Sequence, residues 1–259
     1  KSRYLYKLKI MNTFHKIFTC LMFLSISSSF AQIKTIAVDP FTKVIVSPHI
    51  EVVFQEGNKE EVIIESISVS EEKFYTESSG KTLHLYLEGA KTITKNEKVE
   101  NEEWEGKQPI YRGTVATVLV TYKNLEELSL RGEEKFVCKD QLKGSKFVLS
   151  LYGETEIILK DVKLEEMKSV LYGENELSFE SGSIEDHRII SYGESEVEAM
   201  KVESETAKIT SYGEAEFRLF VNKEIKLTAF GESELEYKGK PLIKKGIVIG
   251  DTRVRQINL

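Results

Sequence analysis

One short pattern recurs along the second half of this 259-residue chain and limits what it can fold into. Aligned on glycine, the copies read SLRGEEKF, SLYGETEI, VLYGENEL, ISYGESEV, TSYGEAEF and TAFGESEL, with Gly132, Gly153, Gly173, Gly193, Gly213 and Gly231 in register. Successive glycines lie about 20 residues apart. A fixed period of this length means stacked coils, because one repeat alone cannot bury its apolar face. Within each copy the period is two. Counting from glycine as zero, position +2 holds Thr155, Asn175, Ser195, Ala215 and Ser233, and position +4 holds Ile157, Leu177, Val197, Phe217 and Leu235. The even positions are apolar or small and face inward. The odd positions, aromatic at −1 and Glu at +1 and +3, face outward. Small residues at 0 and +2 suit a narrow corner where a strand bends.

These features predict an all-β parallel β-helix, a solenoid with coils of about 20 residues. Leucine-rich repeats share the length but need a recurring Leu-x-x-Leu-x-Leu and an Asn ladder, which are missing. Propeller blades are about twice as long. The preceding region also alternates. FTKVIVSPHIEVVFQEGNKEEVIIE, KTLHLYLEG and TVATVLVTY read as strands, with turns at Ser47-Pro48 and Gly57-Asn58. Residues 89–113 are charged and lack a period, so they read as a surface excursion, with Trp104 expected to tuck against the wall.

The N-terminal part reads differently. MNTFHKIFTCLMFLSISSSFAQ has a polar start with Lys16, an apolar run too short to span a bilayer, and Ser29 and Ala31 before Gln32. We read residues 1–31 as a signal peptide starting at Met11 with an upstream extension. Residues 32–259 then form one β-helical domain: divergent strands over 32–125, glycine-marked repeats over 126–240 and C-terminal strands over 241–259. Removing the leader takes away Lys1, Arg3, Lys7, Lys9 and Lys16, so the remainder is more acidic than the −6 of the whole sequence. An acidic exported chain is a poor partner for nucleic acid or anionic lipid, and is peripheral to a membrane at most. Cys138 is then the only cysteine, so an internal disulfide and a cysteine metal site are excluded and a buried structural thiol is expected.

The opening FTKVIVSPHIEVVFQEG, the central VLVTYKNLEELSLRGE, the glycine-marked rungs and the late YKGKP resemble the family described as "putative auto-transporter adhesin, head GIN domain". That resemblance implies export, mostly by Bacteroidetes-type bacteria, and a right-handed parallel β-helix. It supplies no catalytic residues. The rungs of that family usually read Ser-Gly-small-small, whereas here they read Tyr-Gly-Glu-small-Glu.

Stacking at about 4.8 Å turns the repeated positions into columns. Tyr152, Tyr172, Tyr192, Tyr212 and Phe230 make an aromatic column. Glu154, Glu174, Glu194, Glu214 and Glu232 make one carboxylate column, and Glu156, Glu176, Glu196, Glu216 and Glu234 a second. Like charges at that spacing repel by about 1 kcal/mol per pair even in water. Candidate remedies are Arg218 and Lys135, raised carboxylate pKa values, or a bound cation such as Ca²⁺, which takes clustered carboxylate oxygens. A basic column of Lys168, Arg188, Lys208 and Lys226 stands about 20 Å from the nearer Glu column if the strand is straight. The Glu residues are otherwise solvated surface copied with each rung, and the tyrosines otherwise stabilise by stacking.

The composition and ladders point to an exported, non-catalytic binding or structural module of the cell envelope, and the resemblance implies an adhesin-like role. Its expected partners are envelope or host glycans or surface proteins, and its candidate binding residues are Tyr152, Tyr172, Tyr192 and Tyr212 with the first four Glu of each column. The competing reading is a polysaccharide lyase or hydrolase on the same scaffold. That chemistry needs unlike neighbours with separated pKa values, and the wall repeats one residue. His49, His84 and His187 lie on different segments without metal-ligand spacing, and are expected as surface or strand filler.

Overall fold

The computed structural model describes residues 34–101 and 104–257; the expected signal peptide at 1–31 lies outside the described residues. Fifteen strands follow in chain order: β1 (Lys34–Ala37), β2 (Lys43–Val46), β3 (Ile50–Glu56), β4 (Glu61–Ile67), β5 (Phe74–Ser79), β6 (Thr82–Leu87), β7 (Asn96–Asn101), β8 (Trp104–Pro109), β9 (Ala116–Tyr122), β10 (Glu127–Gly132), β11 (Lys135–Gly153), β12 (Glu156–Phe179), β13 (Gly182–Lys238), β14 (Leu242–Ile249) and β15 (Thr252–Gln256). The long strands β11 to β13 run around corners and pair in parallel, one coil on the next. Tyr152 pairs with Tyr172 and Tyr172 with Tyr192, and the glycines beside them pair in the same register. The chain forms the parallel β-solenoid that the repeats predict.

The register follows from the alternation. A slip by one residue would turn every inward side chain to solvent. Phe136, Ile157, Leu177, Val197, Phe217 and Leu235 stack as one fully buried column, and Cys138, Leu159, Phe179, Ala199 and Leu219 as another. Cys138 is enclosed, and burial pushes its thiol pKa up, which makes it an inert core residue. His187, expected as surface or strand filler, is a strand residue and not a surface one. It is interior, with Nε2 paired to Ser169 Oγ at 3.0 Å and its ring edge-on to Phe179. Burial lowers its pKa to about 4, so the imidazole is neutral at pH 7.

Spatial order departs from chain order at the N-terminal end. β2 lies between β6 and β10, and β3 between β9 and β11. The coil made by β6 and β9 is therefore stacked outside the coil made by β2 and β3, although it follows in sequence. Antiparallel β5 covers β6, and antiparallel β4 covers β9 with β1 beyond it. These strands cap the solenoid end, a device that prevents open edges from pairing with other chains. The charged excursion contains a hairpin, β7 with β8, that the sequence pattern did not reveal. Trp104 opens β8, and its side chain lies outside those described.

At the other end β14 and β15 add a coil beyond the six glycine-marked segments, with Phe230 paired to Ile249 and Ser233 to Thr252. The register slips between Leu227 and Ala229, and Lys245 stands opposite Leu227. A bulge and an inward-register lysine blunt this edge.

The corner depends on glycine. Gly193 has φ 110°, and a Cβ there would lie 2.7 Å from the Gly173 carbonyl oxygen of the coil below. Side chains at such φ values are strained by about 1–3 kcal/mol before any clash is counted. We predict that Gly193→Ala lowers unfolding free energy by at least about 2 kcal/mol in a denaturant titration; an unchanged midpoint and slope would contradict the corner geometry.

Candidate functional site

The outward faces meet at the glycine corner. On one side the aromatic residues at −1 form a continuous stack. Ring centroids are 5.2 Å apart for Tyr152 and Tyr172, 4.7 Å for Tyr172 and Tyr192, 4.9 Å for Tyr192 and Tyr212, and 5.0 Å for Tyr212 and Phe230. All four interplanar angles are 5° or less. The faces of the rings are therefore turned to each other along the coil axis. Arg131 sits 5.0 Å from the Tyr152 centroid and closes one end of the stack, and Ile249 pairs with Phe230 at the other. The column thus offers solvent its ring edges and its phenol hydroxyls. A flat aromatic row onto which a sugar could lie is not what the rings present. Burial and the neighbouring Tyr192 and Tyr152 raise the Tyr172 pKa, which keeps its hydroxyl protonated as a donor.

On the other side of the corner stand the carboxylates. Glu154, Glu156, Glu174, Glu176, Glu194, Glu196, Glu214 and Glu216 line one shallow groove of about 400 Å³, with Thr155, Asn175, Ser195 and Ala215 behind them. The groove continues past Glu232 and Glu234 to Asp251 and Arg253 as a hollow of about 220 Å³. The backs of the columns are tied together: the Thr155 hydroxyl donates to Asn175 Oδ1 at 2.6 Å, and Ser233 to Ser211 at 3.3 Å.

The repulsion is met mainly at the margins. Lys135 is bonded to Glu156 and begins the +3 column; Arg253 ends it in register with its guanidinium on Asp251 at 3.4 Å, and Arg255 meets Glu234 at 3.8 Å. The next outward column alternates sign. Arg218 bridges Glu198 at 2.7 Å and Glu236 at 3.2 Å, and Arg255 bonds Glu236 in turn. Lys135 takes the part expected of it, whereas Arg218 pairs within the neighbouring column and not with the two columns it was expected to relieve. Glu196, in the middle of the column, has its carboxyl pKa raised by burial first and by Glu176, Glu216 and Glu198 next, with Arg218 opposing. The carboxylates run in two parallel lines and do not converge. Among the described residues no group of three or more His, Cys, Asp or Glu is placed to hold a metal ion.

Outside the ladders, His49 and Glu134 make an acid and imidazole pair that does not repeat. Glu134 takes the inward +2 place in the first rung, where later rungs carry small residues. It is buried, which raises its pKa, and it accepts the Glu133 backbone N–H at 3.0 Å. His49 has φ 72° and lies 4.0 Å from it. Both imidazole nitrogens are already held, Nδ1 by the Gly113 carbonyl at 2.8 Å and Nε2 by Thr94 Oγ1 at 2.7 Å. The pair anchors the 89–113 excursion to the first rung and has no nitrogen turned to a substrate.

Sequence reasoning missed the end rung, signalled only by VIGD about 20 residues after Gly231. It also treated the basic column only as a remedy for the glutamates. In the structure that column lies on the same flat strand as the tyrosines, two outward positions away.

A parallel β-solenoid with residue ladders on its outer faces defines the class of this protein. Residues 40–241 match the family model "Putative auto-transporter adhesin, head GIN domain", and the chain belongs to that family. Solved structures share the fold at low identity. One titled a putative adhesin, from Bacteroides fragilis, has a TM-score of 0.71 at 14% identity, covering 87% of this chain and 96% of that one. A putative adhesin from Parabacteroides merdae has a TM-score of 0.59 at 15% identity, covering 89% and 98%. A structure named a putative lipid binding protein, from Parabacteroides distasonis, has a TM-score of 0.63 at 17% identity, covering 89% and 98%. No curated protein matches the chain. Among the described residues no helix is long and apolar enough to cross a membrane.

The wall's electrostatics give a test. A carboxyl whose folded pKa is raised favours the folded state below its unfolded pKa, and that contribution is lost as pH rises through the folded value. Glu196→Gln should therefore raise the melting temperature at pH 7, and the gain should vanish as pH falls below the ordinary carboxylate range. Solvent screening at this exposed position keeps the gain to about 1 kcal/mol or less. Differential scanning calorimetry across pH measures it; a variant less stable than the parent at pH 7 would show that the column is not under repulsion.

Proposed function

We propose that this chain is an exported, non-catalytic binding module of the bacterial cell envelope, adhesin-like in role, that meets glycans or surface proteins through its laddered faces. The observation that carries this reading is the in-register stack of identical outward groups, Tyr172, Tyr192 and Tyr212 with Glu174, Glu194 and Glu214 beside them. Repetition at one pitch multiplies weak contacts to a partner that itself repeats, which is how modest single sites reach useful avidity. An active site calls for the opposite, unlike groups brought together once. Family membership and the adhesin names of the structural neighbours support the same role. The polar, apolar and small-residue order of residues 11–31 supports export. Periplasm, outer-membrane surface and medium are all compatible destinations.

Binding of the purified chain to a glycan array and to native envelope fractions tests this reading. A Tyr192→Phe, Tyr212→Phe variant keeps the stack, as Phe230 already does, and removes two hydroxyls. A Tyr192→Ala, Tyr212→Ala variant removes stack and hydroxyls together. We expect retention of parent over both variants, with the Phe pair reduced about three- to tenfold for two lost hydrogen bonds. Equal binding by all three would dismiss the aromatic column as part of the site, and no retention of the parent on either surface would overturn the module reading.

A further inference from the structure

The flat face before the glycine corner carries three outward columns side by side. The tyrosines at −1 form one rim. At −3 stand Ser150, Val170, Ile190, Thr210 and Thr228, short and half-buried or buried. At −5 stand Lys168, Arg188, Lys208 and Lys226, with Lys244 beside Lys226 by register; all are exposed except the half-buried Lys168. Pairing holds the columns in register: Lys168 with Arg188, Val170 with Ile190, Tyr172 with Tyr192, and Lys226 with Lys244. Four residues of strand separate the rims, about 13 Å, and the four coils that carry all three columns, those of Gly173, Gly193, Gly213 and Gly231, give the channel a length of about 15 Å. The result is a straight trough with a β-branched floor, cations on one bank and phenols on the other.

We propose that this trough binds a linear acidic polysaccharide, laid along the coil axis. The inference rests on the binding-module reading and names its face and its ligand class. Lys168, Arg188, Lys208 and Lys226 form no ion pair with any described residue, although the chain as a whole is acidic. Their pitch of about 4.8 Å at the backbone is fixed, so the charges crowd unless the flexible side chains splay. A row of unpaired cations at fixed pitch is complementary to an anion that repeats along a line. The opposite bank agrees in sign. Aromatic edges carry the positive part of the ring quadrupole, and stacking leaves the tyrosines only edges and hydroxyls, not the negative faces, to offer a ligand beside them. Hydroxyls on this rim and Thr210 and Thr228 on the floor suit a ligand rich in hydroxyl groups.

The borders favour a narrow polymer. Beyond the tyrosines the Glu columns repel an anion that spreads past the corner. Beyond the cations stand Glu166, Asp186 and Glu224. The Thr206 hydroxyl is bonded to Asp186, and Glu224 is paired with Lys244 at 2.6 Å. A duplex nucleic acid or an anionic bilayer is wider than the trough and would meet both acidic borders. A single extended polysaccharide chain would not.

The test measures binding of the whole chain to dextran sulfate and to polygalacturonate, with uncharged dextran as the neutral probe, at low and high salt. The two acidic probes separate sulfate from carboxylate as the group recognised. Arg188→Glu with Lys208→Glu reverses the middle of the cation column. Lys163→Glu with Lys201→Glu makes the same change in net charge away from the trough. Ile190→Trp raises the floor without changing charge. We expect the parent to bind at least one acidic probe and not dextran, with affinity falling steeply with salt. The first variant and Ile190→Trp should each weaken it about tenfold or more, and the off-trough variant less than about twofold. Equal loss in both charge variants would mean attraction to net charge alone and would overturn the proposal. So would undiminished binding by Ile190→Trp, equally tight binding of single-stranded DNA or of phosphatidylglycerol vesicles, or a salt-dependent dimer in sedimentation that the first variant abolishes. A parent that binds neither acidic probe but is retained on envelope fractions would sink this inference and leave the binding-module reading standing; failure on both removes the two together.

Discussion

Parallel backbone hydrogen bonding through a glycine corner is the constraint on which this structure depends. Each coil turns at a glycine whose missing side chain lets the carbonyl of the coil below approach, as at Gly193 over Gly173. Once that contact is made, the strands on both sides are locked in register. Inward residues then bury as columns and outward residues align as ladders. The core, the tyrosine stack and both charged rows are consequences of one repeated backbone geometry.

That geometry has a cost, because it stacks like on like. Apolar columns gain from it, and so does the aromatic column, whose rings lie parallel within 5°. Charged columns lose. The chain limits the loss in different ways on different columns. Cations stand at the ends of the +3 carboxylates, the +5 column alternates through Arg218 and Arg255, and Glu196 has a raised pKa in the middle. The basic column has no comparable internal relief along Lys168, Arg188, Lys208 and Lys226. Unrelieved charge on an otherwise ordered face is the feature that sets this column apart from the others.

Much of this was legible in the residues themselves. Period-two alternation around Gly153, Gly173, Gly193 and Gly213 specifies strand, facing and stacking together, because each follows from the same backbone repeat. The ladders follow from register, so Tyr172 over Tyr192 was readable before any coordinates. Other parts were hidden for physical reasons. Stacking distance does not fix ring orientation, so the sequence could not say that the tyrosines turn edges rather than faces to solvent. The placement of β2 and β3 between β10 and the later β6 and β9 depends on non-local pairing that no local pattern encodes. His187 occupies an inward position of the repeat, yet a histidine there reads as polar until its burial beside Ser169 is seen. The hairpin at 96–109 carries no alternating apolar signal to mark its strands.

The family gives the fold and an adhesin-like setting; the particular outer wall is this chain's own, and its ladders are the basis of every functional statement made for it. The most direct measurement of their existence is a solution NOESY spectrum with protonated tyrosine in an otherwise deuterated chain. Stacked coils predict ring-to-ring cross-peaks from Tyr172 to Tyr152, from Tyr172 to Tyr192 and from Tyr192 to Tyr212, and none between Tyr152 and Tyr212. Absence of the neighbouring cross-peaks in the folded protein, or contacts that skip rungs, would contradict the register and with it the faces built upon it.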